Sequence, residues 1–388
     1  MVLTGVILMT VVAGIAAAPP PADGAEAKGV THRLQWERVA DMPLGVLAAG
    51  SSRVGRTAVV TGGINQAGIA CDAVQFYDLD TDRWRMPLKL KTGRCFHAQL
   101  TLSDGRILIA GGQTGKVPGG LRPTNRCEVI DSRAGTVQET APLLGVAKQP
   151  TAHVLPDGRA VVIGGQRAAI FNPATNHWDA FVKLRVPRNA HASSLLEDGR
   201  VVVVGGEGQA TMEVVNPYNG ISRMLGAKLP SAMDDLRLAA LPGQRVWVIG
   251  GQESGTGRTT QKTWILNLTD PDRSVLEPGP DLDLFGGMSD QCLGRVGPWL
   301  VAVGGESERE GLDRELAEGR LLDTRTLEVL HLPAMHSPHD DAVSIVVGSD
   351  FYIFGGMRMA ASAIGQFEIR LPQAQVTVER LRLHVGDP

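Results

Sequence analysis

Residues 103–112 read SDGRILIAGG, and the same order returns as PDGRAVVIGG at 156–165 and EDGRVVVVGG at 197–206. Each stretch joins an Asp-Gly turn to four aliphatic residues and a Gly-Gly pair. Asp-Gly favours the type I′ turn of a β-hairpin, because that turn needs positive φ at both central residues. The aliphatic run lacks polar alternation, which is typical of a strand covered on both faces. We therefore predict hairpins whose second strand is buried and ends at the glycines.

An apolar run followed by Gly-Gly occurs seven times in the 388 residues, and the first glycines of these pairs are Gly62, Gly111, Gly164, Gly205, Gly250, Gly304 and Gly355. After six of the pairs a further apolar strand ends in Asp or Asn, at Asp78, Asp131, Asn172, Asn216, Asn267 and Asp323. The seventh copy has Ile369 at the matching place. Each repeat therefore predicts four antiparallel strands, with a variable loop after the glycines.

The spacing of roughly 50 residues resembles that of kelch repeats. The chain resembles the exported bacterial kelch propellers that are related to the central domain of galactose oxidase. That resemblance implies an all-β, seven-bladed propeller of four-stranded antiparallel blades, filling residues 28–388 as one domain. The outer strand of blade seven could come from Leu34–Val39, as tryptophan placement favours, or from Val376–Leu383, as chain continuity favours.

The composition agrees with many tight turns between aliphatic strands. Glycine contributes 47 residues, whereas the chain has only 6 Trp, 3 Tyr and 8 Phe. Hydrophobic residues make up 43% of the chain, which excludes a wholly disordered protein. The net charge is −3, without a long block of like charge, so nothing indicates a nucleic-acid or anionic-membrane surface.

The N-terminal segment predicts export. Residues 6–18, VILMTVVAGIAAA, form an apolar run too short to span a bilayer comfortably, and Ala25-Glu26-Ala27 is a small-x-small cleavage site. We predict a signal peptide over residues 1–27 and a secreted or periplasmic mature chain without a membrane span. No Lys or Arg precedes the apolar run, so an uncleaved anchor stays open as an alternative.

Propeller geometry predicts a polar ring at the top of the central channel, where the loops after Gly-Gly meet the segments that lead into each first strand. The candidate ligand-binding residues are Arg94, His97, Gln113, Gln166, Arg188, His191, Glu207, Asp235, Gln252, Asp290, Glu306, His339, Asp340 and Asp341. Ligands of concave sites commonly meet such convergent polar groups. Kelch repeats also carry RxxH-like residues here that bond neighbouring blades, so a structural role stays open for each candidate. The loops 113–126 and 306–320 reach the same face.

Metal and disulfide chemistry receive little support from the sequence. His97, His191, Asp290 and Asp341 have suitable side chains for a metal, but no short spacing joins them, so we predict no metal site and no cofactor. The four cysteines, Cys71, Cys95, Cys127 and Cys292, form no CxxC motif. We expect ordinary small buried residues, and the three possible pairings of a disulfide framework stay open.

The sequence lacks the motifs of known enzymes that have a related fold. The resemblance to galactose oxidase implies a copper site with two tyrosines and two histidines, one tyrosine being linked to cysteine. This chain has three tyrosines in all, Tyr77, Tyr218 and Tyr352, and no Tyr-His dipeptide, so the sequence does not favour copper-radical oxidase activity. Sialidase boxes, GxSxG, HExxH and phosphate loops are missing from the sequence as well.

We predict an exported, monomeric, non-catalytic module that recognises a protein or glycan partner through its top face. The alternative is a sugar-active enzyme similar to the kelch-type N-acetylneuraminate epimerase, a sialic-acid mutarotase. There Glu207, Glu306, His97 or His191 would supply acid–base groups, and Arg94 or Arg188 would bind the sugar carboxylate. A purely structural assembly module is the third possibility. No residue-by-residue match supports the epimerase, and fold alone does not imply function.

Overall fold

A computed structural model describes residues 34–117, 119–309, 312–364 and 367–383. The predicted signal peptide and its cleavage site lie outside these residues. In the described part, no helix has the length and apolar character needed to cross a membrane. A single turn of 3-10 helix, Pro271–Arg273, interrupts a fold that otherwise consists of strands.

The chain forms a seven-bladed β-propeller of antiparallel sheets, as predicted. From the channel outward, blade 1 contains Gly50–Val54, Thr57–Thr61, Ala73–Asp78 and Arg83–Lys89; blade 2 contains Ala98–Thr101, Ile107–Ala110, Cys127–Asp131 and Thr136–Thr140; and blade 4 contains Ala192–Leu195, Val201–Val204, Thr211–Asn216 and Ile221–Lys228. Blade 5 contains Arg237–Leu241, Arg245–Ile249, Thr263–Asn267 and Val275–Pro278; blade 6 contains Cys292–Val296, Trp299–Val303, Gly319–Asp323 and Val329–His331.

Blade 3 lacks a loop after its glycines. Its innermost strand is Thr151–Val154, its outer strand is His177–Arg188, and the element Ala160–Asn172 runs continuously between them. Residues 160–163 of this element pair with the innermost strand, and residues 167–172 pair with the outer strand. Blade 3 therefore has no loop after its glycines that would rise above the top face of the propeller.

Blade 7 is closed by the N-terminal strand. Its first three strands are Val343–Val347, Asp350–Phe354 and Val378–Arg382, and Trp36–Arg38 adds the outer strand. The Trp36 indole N–H donates to the carbonyl of Pro333 at 2.9 Å, as two other outer-strand tryptophans do to their own preceding linkers. Of the two closures left open, the one through Leu34–Val39 is therefore the observed one.

The third strand of blade 7 is not where the repeat pattern placed it. Ile369 belongs to Phe367–Ala374, which pairs with Met357–Ile364 in a hairpin above the sheet. Shorter hairpins of the same kind are Gln113–Lys116 with Gly120–Pro123 and Glu306–Arg309 with Leu312–Glu315. In blade 5, Met233–Asp234, before the first strand, pairs with Gln252–Glu253, after the glycines. Because the hairpin formed by Met357–Ile364 and Phe367–Ala374 comes first in the chain, the third strand of blade 7 begins only at Val378.

The Asp-Gly turns on the bottom face differ from the predicted type I′. Gly105 has φ of 87°, but Asp104 is not among the residues with positive φ. The Asp104 carboxylate instead accepts the Arg106 backbone N–H at 3.0 Å and pairs with the Arg106 guanidinium. A side chain that bonds its own turn favours a right-handed conformation at Asp, and the left-handed glycine completes the hairpin. The Asp/Asn residues after the third strands cap their turns in a similar way, as Asp131 does for Arg133 and Ala134.

All four cysteines are buried and free. Burial raises the pKa of Cys95 to about 12, of Cys127 to about 11 and of Cys292 to about 12. A thiol reacts as the thiolate, so both access and ionisation oppose reaction in the folded state. We expect Ellman's reagent to leave the native protein unmodified and to titrate four thiols in denaturant. Fewer than four in denaturant without reductant would instead reveal a disulfide.

Candidate functional site

The mouth of the channel is a ring of residues in the left-handed conformation. Two residues before each innermost strand begins, φ lies between 45° and 54°, at Ala48, Phe96, Gln149, Ala190, Asp235, Asp290 and Asp341. Neighbouring members touch through the backbone, since the Ala48 N–H donates to the Asp341 carbonyl at 2.8 Å and the Phe96 N–H to the Ala48 carbonyl at 2.8 Å. The conformation occurs in all seven blades, so it belongs to the fold. At three consecutive blades, 5 to 7, the residue in this conformation is an aspartate.

The ring corrects the alignment that the sequence suggested. In the sequence, His97, Pro150, His191 and Leu236 precede the first glycine of their pairs by the same number of residues as Asp290 and Asp341 do, which suggests that all six are equivalent. In blades 2 to 5, the turn between the first two strands is one residue longer than in blades 1, 6 and 7. The two histidines therefore lie one position beyond the mouth ring.

Six of the predicted residues meet at blades 5 to 7. We call the carboxyl groups of Asp235, Asp290, Glu306, Asp340 and Asp341 the acidic arc. The sixth residue, Gln252, donates from Nε2 to the Asp235 Oδ2 at 2.7 Å. The sequence analysis missed Arg237, whose Nη2 lies 3.7 Å from the Asp290 Oδ1. Its place two residues after the Asp235 mouth position could have indicated it.

Burial and mutual repulsion keep protons on the acidic arc. Burial, followed by the charge of Asp341, raises the pKa of Asp290 to about 7. Burial and Asp235 raise the pKa of Asp341 to about 6, and burial and Asp290 raise the pKa of Glu306 to about 9. The pKa values of Asp235 and Asp340 are raised by burial and by neighbouring aspartates. At neutral pH the arc therefore combines protonated donors with ionised acceptors.

Two further residues, in blade 6 and the linker that precedes it, escaped the sequence analysis. Ser289 and Glu306 exchange both backbone hydrogen bonds at 3.0 Å, so their side chains project to the same face. The Ser289 hydroxyl is buried and has no hydrogen-bond partner among the described residues. Phe285, in the linker from blade 5 to blade 6, is 70% exposed, and its carbonyl accepts the Ser307 hydroxyl at 3.2 Å. Ser289 directly precedes the mouth residue Asp290, as Asp340 precedes Asp341, and this position could have indicated it; Phe285 matches no repeat position.

The predicted arginines lie inside the blades. The Arg94 Nη2 lies 2.7 Å from the Glu128 carboxylate, and the Arg188 Nε lies 2.8 Å from the Glu213 carboxylate, with all four side chains fully buried. Both guanidinium groups also donate to the carbonyl of the first glycine of their blade. His339 occupies the corresponding position in blade 7, with its Nε2 3.3 Å from Glu379. These residues hold the linkers and glycine pairs in place, and their charges are not presented to the mouth.

The predicted histidines lie between blades. The His97 Nε2 is 2.9 Å from the Thr61 hydroxyl, and the His191 Nε2 is 3.0 Å from the Thr151 hydroxyl. Burial, together with the nearby arginine of the same blade, lowers the pKa of each to about 3, so both are neutral at physiological pH. These neutral histidines therefore link neighbouring blades through hydrogen bonds to threonine.

The remaining predicted residues are spread over blades 2 to 4. Gln113 pairs through its backbone with Cys95, and the Lys148 Nζ lies 3.8 Å from Glu207. Gln166 lines a pocket of about 310 Å³ between blades 2 and 3, whose walls are mostly apolar linker residues and glycines. This pocket lies away from the acidic arc and holds no titratable cluster, so we place the candidate site at the arc.

Comparison with known proteins identifies the fold. A fungal alcohol oxidase of the AA5 family, solved in complex with copper, aligns with a TM-score of 0.68 and 14% identity over 90% of this chain and 76% of that chain. The structure of YjhT aligns with a TM-score of 0.52 and 13% identity over 86% of this chain and 95% of that chain. No protein-family model matches the sequence, and no curated protein matches it significantly.

A copper site like the one implied by the resemblance does not fit this chain. The Tyr77 hydroxyl donates to Asp82 near a bottom turn, Tyr218 lies in another bottom turn, and Tyr352 stacks on Phe354 within blade 7. In the described ranges, no three His, Cys, Asp or Glu side chains are arranged to hold a metal ion. The likeness is therefore one of architecture: this chain has the fold of the kelch-type, galactose-oxidase-like β-propellers, with seven blades.

Proposed function

We propose that this protein binds a carbohydrate at the acidic arc, on the top face of the propeller. The observation that carries the proposal is the convergence of five carboxyl groups, the Gln252 amide and the Arg237 guanidinium at one side of the channel mouth. Planar groups that both donate and accept hydrogen bonds suit the paired hydroxyls of a sugar. The exposed Phe285 ring adds an apolar surface on which a sugar ring could pack.

The rim of the top face supports an elongated ligand. The hairpins of blades 6 and 7 are in contact, and the Gln66 side chain of blade 1 bonds the Ala374 N–H of the blade 7 hairpin. Ile69 of blade 1 bridges in turn to Lys116 of the blade 2 hairpin. These loops form a continuous wall, whereas blade 3 has no loop after its glycines. A glycan chain seated on the arc could leave across blade 3.

The same geometry argues against an acidic sugar. Arg94 and Arg188, the residues that the epimerase alternative required for a sugar carboxylate, are paired with buried glutamates. The groups that do face the mouth at blades 5 to 7 are mostly acidic, and carboxylates repel an anionic ligand. We therefore propose a neutral or cationic sugar in place of a sialic or uronic acid.

Acid–base catalysis is a second candidate because the pKa values within the arc are separated. Glu306, with a pKa of about 9, is a proton donor at neutral pH, whereas Asp341, at about 6, is mainly a base. Two carboxyl groups whose pKa values differ in this way are characteristic of acid–base pairs in enzymes. Interconversion of sugar anomers would need no other chemistry.

A glycan-array screen of the purified chain tests the binding proposal. We expect at least one glycan class to bind, with loss of binding in Asp341→Asn. Asp283→Asn is the matched control because Asp283 also has positive φ but its carboxylate is 84% exposed outside the arc. Failure of every glycan, or equal binding by both variants, would contradict the proposal.

For a sugar that binds, NMR exchange between its anomers distinguishes the two candidates. Exchange accelerated by the wild type and lost in Glu306→Gln, with binding retained, supports catalysis. Unchanged exchange supports binding alone. Export of the mature chain remains a proposal from the sequence, and the mass of the secreted product tests it.

A further inference from the structure

The acidic arc contains more carboxyl groups than neighbouring positive charges. Five carboxyl groups converge there, and the cation that the described residues place against them is Arg237. Its Nε donates to the Gln291 carbonyl at 2.8 Å, which fixes the guanidinium on the blade 6 side, next to Asp290. Its charge also lowers the pKa of Asp341, in blade 7, so this one guanidinium acts on both aspartates. Buried carboxylates without a partner are costly, and a bound cation removes that cost.

A second feature at the same place points to a ligand. The Ser289 hydroxyl is fully buried, has no hydrogen-bond partner in the described part of the chain, and shares a face with the Glu306 side chain. Buried hydroxyls in native proteins normally have partners. An orphaned hydroxyl on the face that carries the Glu306 side chain is therefore expected to bond a ligand or a water there.

On these grounds we infer that the ligand is a sugar carrying free amino groups, whose ammonium is held between Asp290 and Asp341. This inference rests on the proposed carbohydrate site and specifies its ligand class. In the described ranges, no three His, Cys, Asp or Glu side chains are arranged to hold a metal ion, so the negative charge suits a larger cation. The Ser289 hydroxyl and the exposed Phe285 ring suit a hydroxylated ring better than a flexible amine.

Charge-assisted hydrogen bonds are about twice as strong as neutral ones, so the amino group should dominate selectivity. We expect a chitosan trisaccharide to bind roughly tenfold or more tightly than either its N-acetylated form or cellotriose, which lack the charge. High salt should weaken the first interaction and leave the other two nearly unchanged.

Isothermal titration of the purified chain with these three trisaccharides and with trilysine tests the inference. Asp290→Asn should reduce the preference for the amino form to less than about threefold, and the matched Asp283→Asn variant should keep it. Thermal unfolding of each variant establishes that it is folded.

Each outcome separates the inference from the proposed function. Equal binding of the three saccharides, or binding of only the neutral ones, overturns the cationic ligand and leaves the carbohydrate site standing. Binding of trilysine but of no saccharide overturns both the sugar class and the proposed function. If none of the four binds, the amino-sugar inference is also overturned, and the glycan array then decides the carbohydrate site independently.

Discussion

Replacing Arg188 with alanine is expected to lower the free energy of unfolding by about 3–5 kcal/mol, because it leaves one member of a buried ion pair unpaired. The Arg188 guanidinium lies 2.8 Å from Glu213 and donates to the carbonyls of Gly205 and Thr211, both at 2.7 Å. Without Arg188, the Glu213 carboxylate has no cation beside it, and the carbonyls of Gly205 and Thr211 each lose a hydrogen-bond donor. Urea unfolding, compared at equal m, measures the change.

A double substitution provides the control for this prediction. Replacing Arg188 with methionine and Glu213 with leucine removes both charges together, and buried ion pairs replaced in this way often regain stability. We therefore expect the double variant to be more stable than Arg188→Ala. An Arg188→Ala protein as stable as the wild type would mean that this arginine does not hold the blade, and would reopen its assignment to ligand binding.

Replacing Asp290 with asparagine is expected to stabilise the protein by roughly 2 kcal/mol near pH 8, with a gain that fades toward pH 4. Burial and Asp341 raise the pKa of Asp290 to about 7, above the ordinary value of 3.8. The folded protein therefore holds this proton more tightly than the unfolded chain does. The group favours folding in acid, and that contribution is lost as the pH rises toward 7, where the ionised carboxylate becomes a burden that asparagine removes.

The difference between the variant and the wild type is the informative quantity. Burial lowers the pKa of His97 and His191 to about 3 and of His153 to about 4, so acid destabilises the fold through these groups. Their effect has the opposite sign to that of Asp290 and cancels when two proteins are compared at one pH. The exposed control Asp283→Asn should change stability by less than about 0.5 kcal/mol. A less stable Asp290→Asn protein at pH 8 would refute the assignment of repulsion to the arc.

The fold was predictable because its signal repeats. Seven Gly-Gly pairs after apolar runs specify seven similar sheets, and the tryptophan pattern correctly favoured the closing strand at Trp36. The errors arose where a repeat departs from the average. One extra residue in the turns of blades 2 to 5 shifted the alignment, and the hairpin that contains Ile369 delayed the last strand. Local spacing could not show either change.

The site was predictable only in part, because proximity in a propeller depends on the whole ring. Asp290, Glu306 and Asp341 were identified as candidates and do converge. Arg94 and Arg188 have the same polar character in sequence, but their role is set by glutamates on another strand of the blade, 34 and 25 residues away. Ser289 and Phe285 carry no motif, and only the surrounding structure gives them a role.

The way blade 7 closes has a consequence for biogenesis. Glu37, on the outer strand, and Arg380, on the third, bond across 343 positions of sequence. Of the described strands, Trp36–Arg38 is synthesised first and must wait for Val378–Arg382, and such distant pairing is slow because a long loop has to be closed first. Until Trp36–Arg38 pairs with it, the third strand of blade 7 presents an open edge, the kind of surface on which chains aggregate. A nascent chain stalled or cleaved before Val378 would lack that strand altogether, and Trp36–Arg38 would then have no strand in blade 7 with which to pair.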